Sequence, residues 1–182
     1  MSGNLKPHLT QAFFVFAIGG IYFGWRWLKA NLQDLPLIES ILSILNDTLA
    51  DVMTVVSGLF LKLFGFSSSI SHRFLTVDTF TKVEVTDPCV GVGLYIMFVA
   101  FVGLFPGKQK PKLWYIPVGI LIILAGNTAR VVGMVFTQLY IPGSFELMHL
   151  VILRGAVFLI LVLLCIFWVN YSIGPARSVE SE

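Results

Sequence analysis

Residues 113–138 read LWYIPVGILIILAGNTARVVGMVFTQ, an apolar stretch whose one charged side chain is Arg130. A helix of about 20 apolar residues crosses a ~30 Å hydrocarbon core, so this stretch reads as a transmembrane span. The same signature runs through the whole chain. Of its 182 residues 57% are hydrophobic and 12% charged, with a mean hydropathy of +0.87. A soluble domain has roughly a quarter of its residues charged, so this chain takes the lipid bilayer as its solvent. Further apolar runs lie at 12–28, 49–66, 89–105 and 147–170. The sequence therefore predicts an all-α integral membrane protein of about five transmembrane helices, with 1–182 forming a single polytopic domain.

Between these runs the pattern changes twice. Over 36–48, Glu39 and Asp47 interrupt apolar residues, which suits a helix at the interface or facing the protein interior. Over 67–88, Leu75, Val77, Val83 and Val85 alternate with Thr76, Asp78, Lys82 and Glu84. That period of two predicts a short, extended, two-stranded excursion outside the membrane. The first run ends in Trp25-Arg26-Trp27 without a small-residue cleavage site and reads as a retained anchor. Its Gly20 and Gly24 form a small-xxx-small pair that lets another helix approach.

Orientation follows from Lys108, Lys110 and Lys112 in the tight loop 106–112, because short basic loops stay cytoplasmic. Counting spans from that loop puts Arg26, Lys29 and Arg177 inside, and Lys6, Arg73 and Lys82 outside. The net charge of +2 comes without a dense basic run or an RNA-binding aromatic motif, which argues against nucleic acid as a partner.

The basic loop also serves as a ruler. Cys89 lies 17 residues before Pro106 and Arg130 lies 17 after Leu113, so each rises ~25 Å above the cytoplasmic side at 1.5 Å per residue. His149, 21 residues before Asn170, reaches ~31 Å by the same rise. Three reactive groups thus converge on the outer interface, while Cys165 lies near the opposite face, too far for a disulfide with Cys89. Both cysteines are expected to be free thiols. Cys89 follows Asp87-Pro88, where Asp suits a helix cap and Pro the first helical position. A helix first turn favours a thiolate, and the Asp87 carboxylate opposes it.

Each of these residues also has a plainer reading. A membrane cysteine is usually a small buried hydrophobe, and a histidine at an interface is usually only polar. Arg130 resists that treatment, since a guanidinium inside a span costs ~2.5 kcal/mol or more unless it meets a partner, water or a function. Asn127, one helical turn earlier, extends its polar face. Glu146 stands one turn before His149 and can orient or charge the ring. Arg154 is either a second interior cation or an interfacial anchor. A thiol nucleophile needs a base and an oxyanion donor, and His plus Arg supply both. One His and one Cys fall short of the four ligands of a usual metal site.

The words Asp-Pro-Cys89-Val-Gly, Asn127-Thr-Ala-Arg130-Val-Val and Phe145-Glu-Leu-Met-His149, in that order, resemble the exosortase and archaeosortase family of membrane cysteine transpeptidases. The likeness covers roughly 60–168 and is closest to the short exosortase forms, although Cys89-Val90-Gly91 replaces the family's Cys-Ser-Gly or Cys-Asn-Gly. It implies Cys89 as nucleophile, Arg130 as stabiliser of thiolate or oxyanion, and His149 as general acid and base. The implied partner is an exported protein with a PEP-CTERM-like tail: a short signature, a membrane segment and a basic end. The resemblance implies cleavage through a thioester at the outer face of a bacterial inner membrane, with no cofactor required. The competing class is a non-enzymatic membrane protein, a small transporter or assembly subunit in which Arg130, Asn127 and Arg154 line a polar path. Unequal spans without an internal repeat give it little support.

The orientation is open to a direct check. Reporter fusions at Gln109 and at Glu182 are expected to be active only in the cytoplasm. An external location for either overturns the assignment.

Overall fold

A computed structural model describes residues 36–78, 81–105 and 109–173, together with Gly20, Phe23, Gly24, Trp27 and Asn31. Among the described residues four helices are long and apolar enough to cross a membrane: Pro36–Leu63, Asp87–Leu104, Lys110–Tyr140 and Pro142–Ser172. The expected first span at 12–28 falls outside the described residues except for Gly20, Phe23, Gly24 and Trp27, which are helical. Lys6, Arg26, Lys29, Lys108 and Arg177, used above for orientation, also lie outside them.

Helix α1, Pro36–Leu63, is continuous through the stretch expected to divide at residue 48. Pro36 and Glu39 in its first turn and Lys62 in its last suit the two ends of the helix dipole. Ala50, Met53, Thr54, Ser57, Gly58 and Leu61 recur at helical spacing and form its buried stripe. The charges that broke the hydropathy pattern are on another face. Asp47 and Asp51, four residues apart and so neighbours on the helix surface, reach Arg73 and His72 of the chain that follows.

That chain is a three-stranded antiparallel meander rather than the two strands expected. Its strands are β1 (Ser68–Ser71), β2 (Phe74–Val77) and β3 (Thr81–Glu84). Leu75 and Val77 of β2, with Thr81 and Val83 of β3, form the buried face. On the other face Lys82 extends over the Phe74 ring at 4.0 Å. The sequence Ser-Ser-Ile-Ser of β1 has no such alternation, and it pairs through a tight turn. His72 takes a left-handed φ of 51° there, and Ser71 comes opposite Phe74. The sheet lies along α1 rather than beyond its end: the Ser68 hydroxyl donates to the Gly58 carbonyl at 3.0 Å.

A short helix α2 (Asp87–Val90) leads through Gly91 into α3 (Val92–Leu104), and α4 (Gln109–Tyr140) returns beside it. The hairpin is stapled at its base by Lys112, which is 6% exposed and donates to the Gly103 carbonyl at 2.8 Å. An ammonium there suits the unpaired carbonyls at the end of α3. The last rod comprises a 3₁₀ turn (Pro142–Ser144), α5 (Phe145–Leu147), a π-helical segment (Met148–Ile152) and α6 (Leu153–Ile173).

Two apolar cores result. One joins α1, the sheet, α2 and the later half of α4, and Cys89 lies within it. The other joins α3, α4 and α6 around Phe98, Trp168 and Cys165. In this second core Tyr115 stacks on Trp168, with ring centroids 4.9 Å apart, and donates its hydroxyl to the Leu164 carbonyl at 2.7 Å. The α3–α4 contact depends on Gly119, because a Cβ there would fall 2.1 Å from the tip of the fully buried Phe98 ring. Gly119→Ala is therefore expected to destabilise the protein by about 1–3 kcal/mol through overpacking. Thermal unfolding in detergent reads this, and a midpoint equal to the parent's would contradict the close seat of Phe98.

Candidate functional site

Cys89 is carried by a single turn of helix whose two ends are unusual. At its start Thr86, rather than Asp87, is the N-cap residue, so Asp87 and Pro88 occupy the first turn. The Thr86 backbone is extended, and its carbonyl accepts from the Cys89 and Val90 amides at 2.8 and 3.1 Å. Its side chain does not cap the helix. Instead the Thr86 hydroxyl donates to Cys89 Sγ at 3.4 Å. The expected Asp87 cap is corrected for the same reason: its carboxylate is drawn to the Arg73 guanidinium, with Nη1 at 2.5 Å from Oδ1.

At its end the turn is broken by Gly91, whose φ of 68° is left-handed. Glycine adopts this conformation without the strain a Cβ would bring. The break interrupts the helical ladder, and two carbonyls of the turn are taken by α4. Asn127 Nδ2 donates to the Val90 carbonyl at 3.0 Å, and Arg130 Nη1 donates to the Pro88 carbonyl at 3.3 Å. Asn127 and Arg130 are three residues apart, so they project from one face of α4. Asn127 Nδ2 also reaches the Tyr95 hydroxyl at 3.3 Å.

The Arg130 guanidinium is enclosed, with the residue 4% exposed. Among the described residues its Nε and Nη2 have no hydrogen-bond partner, and neither does Asn127 Oδ1. Cys89, at 1% exposure, and Arg154 both act on Arg130 electrostatically. Arg130 thus stands beside the thiol with donors still open.

His149 lies in the π-helical segment, a rare geometry that often marks functional positions. Its ring stacks on Phe145 with centroids 5.8 Å apart and planes inclined by 2°. Its Nδ1 meets the Met134 sulfur at 2.8 Å. Met134 is one helical turn beyond Arg130 on α4, so the histidine meets α4 one turn from the guanidinium. Arg130, Arg154 and Glu146 all act on the ring electrostatically. Glu146 and Arg154 are themselves exposed.

Cys165 is free and buried in the other core, and Cys89 is free as well. Among the described residues no three His, Cys, Asp or Glu side chains gather as a metal site would require.

Sequence reasoning missed Thr86, Met134 and Arg73. Thr86 had a local signal, since a Ser or Thr three residues before a helical position is a capping pattern. Met134 had none beyond its spacing from Arg130. Arg73 Nε and Nη2 hold Asp47 Oδ1 at 2.9 and 2.7 Å, while Nη1 holds Asp87. Hydrogen bonding to Asp87, and then to Asp47, raises the Arg73 pKa above its ordinary value against the cost of partial burial.

The model of the transmembrane exosortase family matches residues 3–168 of this chain. No curated protein and no solved structure gives a match.

The Thr86 contact generates a test. Thr86→Val keeps the shape and removes the donor, so labelling of Cys89 by a small neutral thiol reagent at neutral pH is expected to slow roughly threefold to tenfold. Thr86→Ser should label like the parent. Equal rates for Val and the parent would remove the hydroxyl from the site.

Proposed function

The chain belongs to the transmembrane exosortase family, and on that premise we propose that it is a membrane cysteine transpeptidase. It cleaves the C-terminal sorting tail of exported proteins at the extracytoplasmic side of the membrane. The observation that carries this reading is the buried Arg130 guanidinium, set against the turn of Cys89 with Nε and Nη2 unpaired among the described residues. Leaving two such donors without acceptors is costly in an apolar setting, so a ligand oxygen is their natural complement.

In the proposed reaction Nε2 of His149 takes the proton of the Cys89 thiol, and the resulting thiolate attacks the scissile carbonyl carbon. The C–S bond forms as the carbonyl electron pair moves to oxygen, and Arg130 stabilises that oxyanion. Collapse restores the carbonyl and breaks the C–N bond. The departing nitrogen takes a proton from His149, and the tail leaves with a free amine. An acceptor amine then attacks the thioester, gives its proton to His149 and releases the thiolate. Sulfur in a thioether only accepts hydrogen bonds, so in the neutral ring the contact with Met134 puts the proton on Nδ1. That leaves Nε2 of His149 as the base. Thr86 adds a donor to the sulfur, and Asn127 holds the carbonyl that ends the turn.

Substrates of this class present an apolar membrane segment after the cleavage signature. A protein whose spans share the bilayer with that segment can receive the signature where it emerges.

Cys89→Ala is expected to give an inserted, folded protein whose co-expressed substrates keep their tails. Cys165→Ala should process like the parent. Arg130→Lys retains charge but loses the planar fork, so a loss of at least ~100-fold is expected, whereas an interfacial anchor would tolerate Lys. Gel mobility and substrate mass report both. Normal tail removal by Cys89→Ala would sink the thiol mechanism and leave the transporter reading as the better account.

A further inference from the structure

Asp87 lies two residues before the thiol, and an unpaired carboxylate at that place opposes thiolate formation. Its charge is not left unpaired. Arg73 reaches it from the turn between β1 and β2, through Nη1 at 2.5 Å, while Nε and Nη2 of the same guanidinium hold Asp47 on α1. The Arg73 side chain is 19% exposed, against 48% and 57% for those of Asp47 and Asp87. One cation therefore bridges the sheet turn, α1 and the start of α2, in a geometry that a planar fork provides. The Arg73 carbonyl also accepts from the Val85 amide at 2.9 Å, so the backbone holding the fork is tied to the residue that leads into Thr86.

The charged groups around this arrangement come from every neighbouring element. Arg130 of α4 acts on Cys89 electrostatically, and Arg154 of α6 and His149 interact with Arg130 in turn. Asp51 of α1 is occupied by His72 at 2.7 Å. Arg73 therefore answers both Asp47 and Asp87, and without it both carboxylates would stand unpaired, Asp87 two residues before the thiol.

We propose that Arg73 is a positioning residue for the Cys89 thiolate, turning the Asp87 carboxylate outward and cancelling its charge while anchoring the turn of Cys89 to α1. The inference rests on the reading of Cys89 as nucleophile. It assigns to the small sheet the task of carrying a counter-charge to the active thiol.

The test uses the full chain in membranes with Cys165→Ala, so that Cys89 is the one thiol present. Its labelling by methyl methanethiosulfonate, a small neutral reagent, is followed by mass at neutral pH. Arg73→Gln is expected to slow labelling about tenfold, and adding Asp87→Asn to that variant should restore the parent rate. A residue that only braces the fold would behave differently: its loss would open the buried thiol and speed labelling, and Asp87→Asn would not reverse the effect. A rate for Arg73→Gln that is unchanged or faster, or a double variant that stays slow, overturns the proposal. Asp87→Asn alone gives a second reading that does not depend on the folding of Arg73→Gln. It should label at least as fast as the parent, and slower labelling also overturns the proposal. Labelling involves no protein substrate, so failure of Cys89→Ala to abolish tail removal would sink the transpeptidase reading separately.

Discussion

A helix broken inside an apolar bundle must find donors for the carbonyls that the break sets free. Gly91 makes such a break directly after the turn of Cys89, and α4 supplies the donors from Asn127 and Arg130. Much of the site follows from this requirement. The three-residue spacing of Asn127 and Arg130 matches the Val90 and Pro88 carbonyls, so the turn is held from outside by two polar side chains on one helical face. Arginine is suited to the second position because it meets one carbonyl and still offers further donors. A continuous helix through residue 91 would pair these carbonyls internally, and neither α4 side chain would then be anchored to the turn that carries the thiol.

The helices were legible because hydropathy has a long period and a strong signal, and Cys89, Arg130 and His149 were legible as polar exceptions within it. Features that depend on pairing between distant residues were not. Strand β1 is Ser-Ser-Ile-Ser and has no amphipathic alternation of its own, so its pairing comes from β2. The continuity of α1 was hidden by Glu39 and Asp47, because an acidic residue in an apolar run looks like an interruption until its partner is known. Asp47 has that partner in Arg73, 26 positions later. The cap of α2 was misassigned to Asp87 for the same reason: the carboxylate that suits a helix N-terminus is engaged by a more strongly attracting cation. In each case a tertiary partner outweighed a local preference.

The site also divides its labour between elements of different origin. The turn and α4 present the thiol and the guanidinium through backbone hydrogen bonds, a rigid arrangement that fixes position. The sheet and α1 contribute charges that meet at Arg73. His149 is held by ring stacking and a sulfur contact, and the Glu146 carboxylate acts on it electrostatically.

The π-helical segment at Met148–Ile152 gives the last rod a property that a regular helix lacks. A π turn accommodates one residue more than an α turn, and one residue corresponds to about 100° of rotation about the axis. The segment therefore works as a phase shifter. Phe145 before it and His149 within it face the half of the bundle that holds the thiol. After it, Cys165 and Trp168 face the aromatic seam with Tyr115 and Phe98. A regular α-helix of the same sequence would turn the later face about 100° away from its present relation to the earlier one, and the rod could then satisfy the seam or the site but not both. The winding of this segment is thus as much a determinant of where His149 stands as the identity of any side chain within it.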